Sequence, residues 1–493
     1  MSEALVAQVA QLLERAEADA RTDVARAQLA EASRRLAGPL RVAIAGKVKA
    51  GKSTLLNALL GEELAPTDAG ECTKIVTWYQ QGMSPKVTVH PIGGAPEQRA
   101  WSREGGALEV ALGDLSAADV DHIEVSWPTS RLRDLTILDT PGIASISAEI
   151  SERTHRVLSA EDGRVPVADA VLYLMRHTHA SDIRFLESFH DDELAHGTPM
   201  NSVGVLSRAD EIGSCRLDAM EVAEQIAGRY ERDPRLRRLC PIIVAVDGLL
   251  AHSAVTLRQA EYALLAELAA GDPGEVAELL LTVDRFAGRV TPIPVTELER
   301  EHLLERMGLF GVRLAVDLIG SGEVSTAAEL SAELAQHSGL DQLRSVLLRQ
   351  FEQRSRLLKA RSALAVLADV LHGDGCHDSP RLRSALEELT AGTHEFEELR
   401  LLGALRSGAV ELRNDRLSEL DSLLGGSGHD PASRLGLAPE SSPDEVRTAA
   451  LAALATWQRL AEHPLSSRSS QVAARAAVRT IEGLVSQLDS GGD

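Results

Sequence analysis

The amino-acid sequence predicts an α/β domain with a doubly wound, mainly parallel sheet, joined to an α-helical bundle. Between residues 40 and 250, short apolar runs typical of buried strands alternate with helical stretches, which is the pattern of a parallel sheet covered by helices. After about residue 251 the strand pattern ends, and apolar residues recur every three or four positions, as in packed helices. The length of 493 residues allows two or three domains of ordinary size.

The composition argues against several classes of protein. The chain carries 51 Lys and Arg against 73 Asp and Glu, a formal net charge of −22. This acidic balance disfavours non-specific nucleic-acid binding and a wholly electrostatic attachment to membranes. The sequence has no signal-peptide pattern and no apolar run of membrane-spanning length, and its four cysteines match no zinc or redox spacing. We therefore expect a cytoplasmic protein, and peripheral attachment to the inner face of the cell membrane is left open.

The expected elements follow in chain order. Residues 2–36 are predicted to form one long helix that ends at Gly38 and Pro39. Strands are expected at 40–45, 86–90, 122–127, 134–138, 170–175, 202–206 and 242–246. Helices are expected at 253–271, 275–288, 298–319, from 338 without interruption to the glycines at 373–375, and then at 380–391, 394–423, 443–462 and 469–488. Ser442 and Glu445 fit a capping box at the start of one of these helices.

The strongest functional signal is a glycine-containing loop between the first strand and the helix that follows it. The residues of this segment that are predicted to bind nucleotide are Gly46, Lys47, Val48, Lys49, Ala50, Gly51, Lys52, Ser53 and Thr54. In such a P-loop, backbone N–H groups and a helix N-terminus surround a phosphate. Lys52 is expected to reach the β- and γ-phosphates as the main catalytic cation, and the Ser53 hydroxyl to bind Mg²⁺.

Further metal and phosphate contacts are expected between the P-loop and the middle of the sheet. The apolar strand at 134–138 leads into Asp139, whose carboxylate can hold Mg²⁺ through water, and the amide of Gly142 can contact the γ-phosphate. Thr73 is the candidate that joins the Mg²⁺ ligands when a γ-phosphate is bound. Thr67 is the rival candidate, and an ordinary capping hydroxyl is a third interpretation.

A candidate base-binding segment follows a later strand. Asp210 can accept hydrogen bonds from N1–H and the 2-amino group of guanine, a pair of donors that adenine lacks. Ser207 and Arg208 stand where Asn or Thr and Lys are usual, so guanine selectivity depends mainly on Asp210. Asp247 and Gly248 occupy the place of the last base-contacting loop.

These motifs resemble those of the dynamin superfamily, particularly its bacterial members and, among them, the isoniazid-inducible group. The resemblance runs nearly from end to end of the chain. The segments that carry it include Val42-Ala43-Ile44-Ala45-Gly46, Gly51-Lys52-Ser53-Thr54-Leu55-Leu56-Asn57, Thr73-Lys74-Ile75-Val76-Thr77-Trp78, Ser207-Arg208-Ala209-Asp210-Glu211, Gly308-Leu309-Phe310-Gly311 and Ser338-Gly339-Leu340.

The resemblance implies a dynamin-type GTPase domain at residues 38–350 with a helical insertion at about 251–337. Residues 1–37 would be an N-terminal neck helix, and residues 351–493 a helical neck and stalk. It also implies Mg²⁺-dependent hydrolysis of GTP to GDP and phosphate, stimulated by pairing of GTPase domains in a homodimer or in a heteromer with another dynamin-like protein. Stalk movement at the cytoplasmic membrane, membrane remodelling and tolerance of drug or envelope stress are the wider functions that this family relationship implies.

The chain departs from the family pattern at the positions that orient the attacking water. Val48 and Lys49 occupy the P-loop positions of Gln and Ser in dynamins, and Ile143 the position of the catalytic Gln of small GTPases. We therefore expect slow basal turnover. Lys49 or Lys47 could stabilise transition-state charge across a dimer, as a cationic finger does elsewhere, and a solvated loop lysine is the alternative.

The helical region offers few groups for lipid. After residue 350 the chain has a single lysine, and the turns expected at 373–380 and 425–431 are mainly small and polar. The arginines that could approach anionic headgroups are Arg381, Arg383, Arg434 and Arg468. We expect weak, salt-sensitive peripheral binding to anionic membranes.

Two other interpretations remain open at this point. One is a regulatory or scaffold subunit that binds nucleotide, hydrolyses little and partners another dynamin-like protein. The other is an ATP-dependent enzyme, in which Asp210 is incidental. The turn around His372, Cys376 and His377 could bind a metal, but its spacing matches no established site.

Overall fold

The computed structural model describes residues 2–66, 75–104, 107–141, 167–176, 183, 186, 201–352, 354–426, 428–438, 440–464 and 466–490. Thr67, Thr73, Gly142 and Ile143 lie outside these residues. Within them, one large sheet lies between two layers of helices, and further helices form two additional apolar cores. The predicted fold class, a mainly parallel α/β domain with a helical bundle, is confirmed.

Within the part of the chain that the structure describes, the sheet has nine strands in the order β11-β10-β9-β1-β8-β2-β7-β3-β4, and β5 pairs with β6 separately. The strands are β1 (Leu40–Gly46), β2 (Val76–Gln81), β3 (Lys86–Pro91), β4 (Glu97–Arg99), β5 (Trp101–Glu104), β6 (Ala107–Val110), β7 (Val120–Trp127), β8 (Leu135–Asp139), β9 (Ala170–Met175), β10 (Ser202–Ser207) and β11 (Ile243–Val246). From β11 to β8 all pairs are parallel, whereas β2 pairs antiparallel with β8 and parallel with β7.

The parallel half of the sheet is buried on both faces. Every residue of β9 and β10 is buried, as expected where helices cover a parallel sheet on both sides. Along β1, Val42 and Ile44 belong to one apolar core, and Ala43 and Ala45 to the other. This burial explains why these strands read as continuous apolar runs in the sequence.

The described helices account for most of the remaining chain. They are α1 (Ser2–Ala18), α2 (Asp23–Ala37), α3 (Lys52–Leu60), α4 (Ala219–Arg232), α5 (Pro234–Leu239), α6 (Gly248–Thr256), α7 (Gln259–Ala269), α8 (Pro273–Leu279), α9 (Val283–Gly288), α10 (Glu297–Gly320), α11 (Ala327–His337), α12 (Leu340–Leu347), α13 (Ser355–His372), α14 (Ser379–Gly392), α15 (His394–Arg406), α16 (Asn414–Leu423), α17 (Pro431–Arg434), α18 (Pro443–Glu462) and α19 (Arg468–Ser490). None of the described helices is long and apolar enough to cross a membrane. The capping box predicted at the start of α18 is present.

The prediction of a single N-terminal helix over residues 2–36 was wrong. The chain forms two helices, α1 and α2, which are separated by four residues and pack against each other. Backbone hydrogen bonds from Arg21 N to Gly375 O (2.7 Å) and from His377 N to Asp19 O (3.0 Å) hold the break against a distant turn. Thr22 then caps α2 through its side chain. These contacts come from tertiary structure, which periodicity along the sequence does not register.

The prediction of one uninterrupted helix from residue 338 to 373 was also wrong. A π-helical turn at Leu348–Glu352 separates α12 from α13. Just after this turn, the buried Arg354 donates to Gln350 Oε1 (2.9 Å) and to the backbone oxygen of Gly425 (2.8 Å). Burial and the neighbouring Arg406 lower the pKa of Arg354 to about 9. The break therefore accommodates a buried cation that joins two parts of the helical region.

The helix predicted over residues 394–423 is likewise two helices. α15 ends before Gly408, whose φ of 79° stops the helix, and Ala409 N returns a hydrogen bond to Ala404 O (2.8 Å). A left-handed glycine just past the last turn is the usual helix stop. The next helix, α16, begins only at residue 414.

One of the four arginines expected to meet lipid is not available to do so. The Arg434 side chain is only 11% exposed, because it pairs with Glu398 at 2.6 Å and donates to Leu423 O. In the predicted turn at 425–431, Gly425 O accepts from the Arg354 guanidinium at 2.8 Å, and His429 Nε2 accepts from it at 3.4 Å. Arg381 and Arg468 are exposed, and Arg383 is 46% exposed.

A buried ion pair connects the N-terminal helices to the sheet. Arg35 of α2 lies 2.8 Å from Asp169, which directly precedes β9, and the two side chains are 8% and 1% exposed. The second carboxylate oxygen of Asp169 accepts from the Arg41 amide at 2.9 Å. Nearby, Lys359 of α13 donates to Gly38 O at 2.6 Å. The sheet and two helices, α2 and α13, therefore meet at one polar junction.

Replacing Arg35 tests this junction. Arg35→Ala leaves the Asp169 carboxylate buried without its cation, so we expect the free energy of unfolding to fall by about 3–5 kcal/mol. The matched control is Arg34→Ala on the same helix, because Arg34 pairs with Glu31 at the surface, where the side chains are 68% and 40% exposed. That change should cost less than about 1 kcal/mol. Urea unfolding of both variants measures these losses of stability. Equal losses would contradict the proposed role of the Arg35–Asp169 pair.

Candidate functional site

The P-loop connects the end of β1 to the start of α3 at the centre of the sheet. Gly46 has a φ of 150°, and a Cβ at this position would lie 2.6 Å from the Leu174 carbonyl oxygen on β9. Gly51 has a φ of 89°, and Lys49 is left-handed with a φ of 62°. Glycine is favoured at the first position by close approach and at the second by backbone conformation. These turns wrap the loop around the N-terminus of α3.

Lys52 lies folded over this loop. Its ammonium group donates to the backbone oxygens of Gly46 (3.2 Å) and Lys47 (3.1 Å). Burial lowers the pKa of Lys52, and the negative charge of Asp139 acts in the opposite direction. The cation is therefore held where a phosphate group on the loop would meet it.

Asp139 is the last residue of β8 and is paired with Ile44, near the end of β1. Its Oδ1 atom is buried and has no hydrogen-bond partner among the described residues. Burial raises the pKa of Asp139 to about 6, and the charge of Lys52 limits the rise. Thr140 fixes the strand end, because its hydroxyl donates to Ile44 O at 2.8 Å. A buried carboxylate oxygen without a donor fits a metal-bound water, so these residues are compatible with Mg²⁺.

A cavity of about 130 Å³ lies beside the P-loop. It brings together three segments that are far apart in sequence: the start of α3, the end of β10 and the end of β11. Its lining residues are Ala50, Gly51, Thr54, Leu55, Leu174, Val205, Ser207, Arg208, Asp210, Glu211, Val246, Asp247, Gly248 and Leu249. All three predicted base-binding residues after β10 and both after β11 are in this set.

Asp210 is the buried acid of the β10 segment, with 8% of its surface exposed. Burial, with the neighbouring charge of Glu211, raises its pKa to about 6. Arg208 adopts a left-handed conformation (φ 54°) and its guanidinium donates to Glu211 at 2.7 Å. The Ser207 hydroxyl donates to Met175 O at 3.3 Å on β9. Asp210 is thus presented to the cavity while its neighbours anchor the turn.

Asp247 is a second buried carboxylate in the same cavity. Its Oδ1 atom caps α6 by accepting from Leu250 N at 3.1 Å, and its Oδ2 atom has no partner among the described residues. Burial, with the nearby charge of Asp210, raises the pKa of Asp247. Its amide donates to Ser338 O at 3.0 Å, which ties the loop after β11 to the start of α12.

The other predicted P-loop residues lie at the rim. Val48 and Lys49 are exposed, with Val48 at 52%, while Lys47, Ser53 and Thr54 are half-buried. Thr73 and Gly142 fall outside the described residues, so their predicted contacts stay predictions.

Several residues at the cavity were missed by sequence reasoning. Glu211, Leu249 and Leu174 line it, and a Cβ built on Gly308 would lie 3.7 Å from Asp210 Oδ2. Gly308 interrupts α10 with φ 66° and ψ 174°, a conformation that is essentially restricted to glycine. An isolated glycine inside an apolar helical pattern is a signal that could have pointed to it.

Comparison with known proteins agrees with this geometry. Residues 42–205 match the Dynamin family. The chain is 43% identical over 463 residues to the isoniazid-induced protein IniC of Mycobacterium tuberculosis, covering 94% of this chain and 93% of that protein. It is 30% identical over 252 residues to the isoniazid-induced protein IniA of the same species, covering 48% of this chain and 35% of that protein.

More distant similarities cover smaller parts. A bacterial dynamin-like protein of Nostoc punctiforme is 32% identical over 167 residues, which is 31% of this chain and 23% of that protein. A solved structure of an oligomerised bacterial dynamin pair aligns with 100% of this chain and 79% of its own, at 14% identity and a TM-score of 0.29. That structural similarity is too low to support a conclusion. The near full-length match to IniC is sufficient, and the chain therefore belongs to the bacterial branch of the dynamin family.

Proposed function

We propose that this protein binds GTP in the cavity between the P-loop and the buried Asp210, and hydrolyses it slowly to GDP and phosphate. The observation that carries the proposal is the meeting of three segments at one cavity: a P-loop with its lysine, a buried acid after β10, and a second loop after β11. A nucleotide needs a P-loop at its phosphate end and a pocket with a hydrogen-bonding group at its base end, and this cavity has both.

The phosphate end would be held by the loop amides and by Lys52. On binding, the phosphate oxygens would take the place of the carbonyl oxygens that the Lys52 ammonium now contacts. Mg²⁺, if bound, would neutralise phosphate charge here, held by the Ser53 hydroxyl and, through water, by Asp139. A water held by Mg²⁺ would then give the buried Oδ1 atom of Asp139 the partner that it does not have among the described residues.

The base end would be specified by Asp210. An ionised carboxylate at this position accepts from the two donors on the guanine edge, N1–H and the 2-amino group. Its burial strengthens such charge-assisted hydrogen bonds relative to bonds in water. Asp247 and Gly248 line the same end of the cavity and are proposed to shape the base pocket.

The basal rate is proposed to be low. Val48 stands at the P-loop position where dynamins carry Gln, and an apolar side chain cannot orient a water molecule. Lys49 is exposed at the rim in a left-handed conformation. A cation placed there could stabilise transition-state charge in a pair of GTPase domains, either in a homodimer or with a related dynamin-like protein.

Nucleotide binding is proposed to be sensed by the helices at 248–337. Arg306 donates to Glu261 at 2.7 Å and lies 3.4 Å from Glu63, just beyond the C-terminus of the P-loop helix. Two residues later, Gly308 lies beside Asp210. The helix α10 therefore contacts the segment that follows the P-loop helix and lies beside the proposed base-binding acid, and we propose that it transmits the nucleotide state to the rest of the chain.

We also propose the domain organisation that the sequence predicts for the whole chain. Residues 38–350 would form the GTPase domain with its helical insertion, and residues 1–37 and 351–493 the neck and stalk. Nucleotide-dependent movement of the stalk would act at the inner face of the cell membrane, in membrane remodelling or stress tolerance. The alternative, a low-activity regulatory or scaffold subunit of another dynamin-like protein, is favoured specifically by Val48.

Removing the P-loop cation tests phosphate binding. Lys52→Ala should abolish measurable GTP binding in calorimetry, because the loop loses the ammonium group that now bonds to its backbone oxygens and would meet the phosphates. Lys86→Ala, at an exposed position at the start of β3, is the matched control and should bind GTP like the unchanged protein. Unaltered GTP affinity of Lys52→Ala would end the P-loop proposal.

A change at the base end tests the guanine assignment. Asp210→Asn should weaken GTP binding by about 1.5–3 kcal/mol, the usual contribution of a charged hydrogen bond. It should also improve binding of the xanthosine triphosphate, because the new amide can donate to the oxygen that replaces the 2-amino group. Asp218→Asn, at the surface of the following loop, should change neither. Equal affinity of the unchanged protein for ATP and GTP would refute the assignment.

Membrane association is tested by liposome flotation across a salt series. We expect weak binding to anionic vesicles that is lost as salt rises, since each exposed arginine contributes only about 1 kcal/mol near a charged surface. Arg381→Glu should weaken it, whereas Arg216→Glu, at an equally exposed position in the α/β part, should not. Tight binding to neutral lipid at high salt would show that an apolar insertion element exists.

A further inference from the structure

Two histidines and a glutamate form a group on the antiparallel half of the sheet, away from the nucleotide cavity. His90 of β3 lies directly opposite His122 of β7, and Glu124 follows two residues later on β7. Residues two apart on a strand share a face, so all three side chains project from the same side. We refer to His90, His122 and Glu124 as the histidine cluster.

The cluster is partly shielded from solvent. The side chains of His90, His122 and Glu124 are 23%, 15% and 27% exposed. The two imidazole rings stack with their centroids 4.0 Å apart, and the ring of Trp78 on β2 stacks on His122 at 4.3 Å. Three neighbouring strands therefore fix the backbone positions of the cluster, while the side chains must rotate out of their stacked arrangement to bind one ion.

The polar atoms of the cluster converge. One candidate ligand atom from each side chain lies within 4.8 Å of the others. His90 Nε2 is buried, has no hydrogen-bond partner among the described residues, and lies 3.5 Å from Glu124 Oε2. A buried imidazole nitrogen whose neighbouring carboxylate oxygen is as far as 3.5 Å away is only weakly satisfied, and a third group between the two would stabilise both.

His122 is oriented by a carboxylate outside the cluster. Its Nδ1 atom lies 2.8 Å from Asp121 Oδ2, which leaves Nε2 available on the other side of the ring. Metal-binding histidines commonly donate their second ring N–H to a carboxylate in this way, because it fixes the tautomer and the ring orientation. Asp121 thus provides an independent indication that the ring is set up as a ligand.

We propose that His90, His122 and Glu124 bind a divalent transition-metal ion of the zinc type. Two imidazole nitrogens and one carboxylate oxygen suit Zn²⁺ rather than Mg²⁺ or Ca²⁺, which prefer oxygen ligands. Metal–ligand distances of about 2.0–2.2 Å require the side chains to rotate inward from their present separation. Three protein ligands leave a fourth position for water or another group.

The location gives this site a connection to the nucleotide site. Trp78, which stacks on His122, lies on β2, and its neighbour Thr77 is paired with Asp139 of β8. A metal that fixes the cluster would therefore stiffen β3, β7 and β2 together. Because β2 adjoins the strand that ends at Asp139, the metal is placed to influence that carboxylate through the backbone.

The test is titration of the nucleotide-free protein with Zn²⁺ by calorimetry and with Co²⁺ by absorbance. We expect one ion per chain, with visible Co²⁺ bands characteristic of nitrogen and oxygen ligands and a change in Trp78 fluorescence. His90→Gln and Glu124→Gln should each weaken Zn²⁺ binding by more than the roughly 10–100-fold that the loss of an outer-shell partner costs. Asp121→Asn should weaken Zn²⁺ binding by about 10–100-fold, because Asp121 only orients the His122 ring.

Two controls keep the outcome decisive. His372→Ala removes a histidine from the turn at 372–378 and should leave the affinity for Zn²⁺ unchanged. GTP binding by each variant shows that it is folded. Zn²⁺ binding that survives in both His90→Gln and Glu124→Gln, or that disappears in His372→Ala, would overturn the proposal, as would the absence of any Zn²⁺ binding by the unchanged protein.

Discussion

The buried ion pair between Arg35 and Asp169 is the constraint on which the relation of the helices to the sheet depends. It places a charge from α2 at the start of β9, the neighbour of the P-loop strand. Moving both charged groups out of water is unfavourable. The attraction between them offsets that cost only when the two side chains are held in good hydrogen-bonding geometry. The carboxylate of Asp169 is fixed further by the amide of Arg41, at the start of the P-loop strand itself. A movement of the N-terminal helices must therefore either move β9 and β1 as well or break the Arg35–Asp169 pair, which would leave a buried charge without its partner.

The sequence predicted the parts of the fold in which local pattern and tertiary environment agree. The strands of the parallel half read as continuous apolar runs because both faces are covered, and their bounds were predicted to within a residue or two. The strands β2, β4, β5 and β6 were not predicted, and a run such as Glu97–Arg99 in β4 has little apolar character. The helices predicted as continuous at 253–271, 275–288 and 394–423 are each two helices, the last pair separated at Gly408. Those predicted at 2–36 and from 338 to 373 are broken by contacts between distant segments, as at Arg354 and Gly425. Helical periodicity continues across such a break, so only the folded chain reveals it.

For the candidate site, the sequence supplied the identities of the residues but not their relations. Asp210 and Asp247 were both named, yet nothing in their spacing of 37 positions shows that the charge of Asp210 raises the pKa of Asp247 across one cavity. Gly308 was quoted only as part of a family motif, and its place beside Asp210 depends on the interruption of α10. The histidine cluster was not noticed at all, because its members are 32 and 2 positions apart and meet only through the pairing of β3 with β7. Strand register, rather than motif spacing, determines such groups.

The apolar core beneath the sheet continues past the end of the α/β part of the chain. Phe351, in the π-helical turn, and Leu358, on α13, are fully buried and belong to the same core as the P-loop helix. A shortened chain that stopped at residue 350 would expose a cavity where these side chains had packed, and it would lose the Lys359 bond to Gly38 as well. An isolated GTPase fragment of this protein should therefore be cut within or beyond α13, because a boundary drawn by nucleotide motifs alone divides the core that supports them.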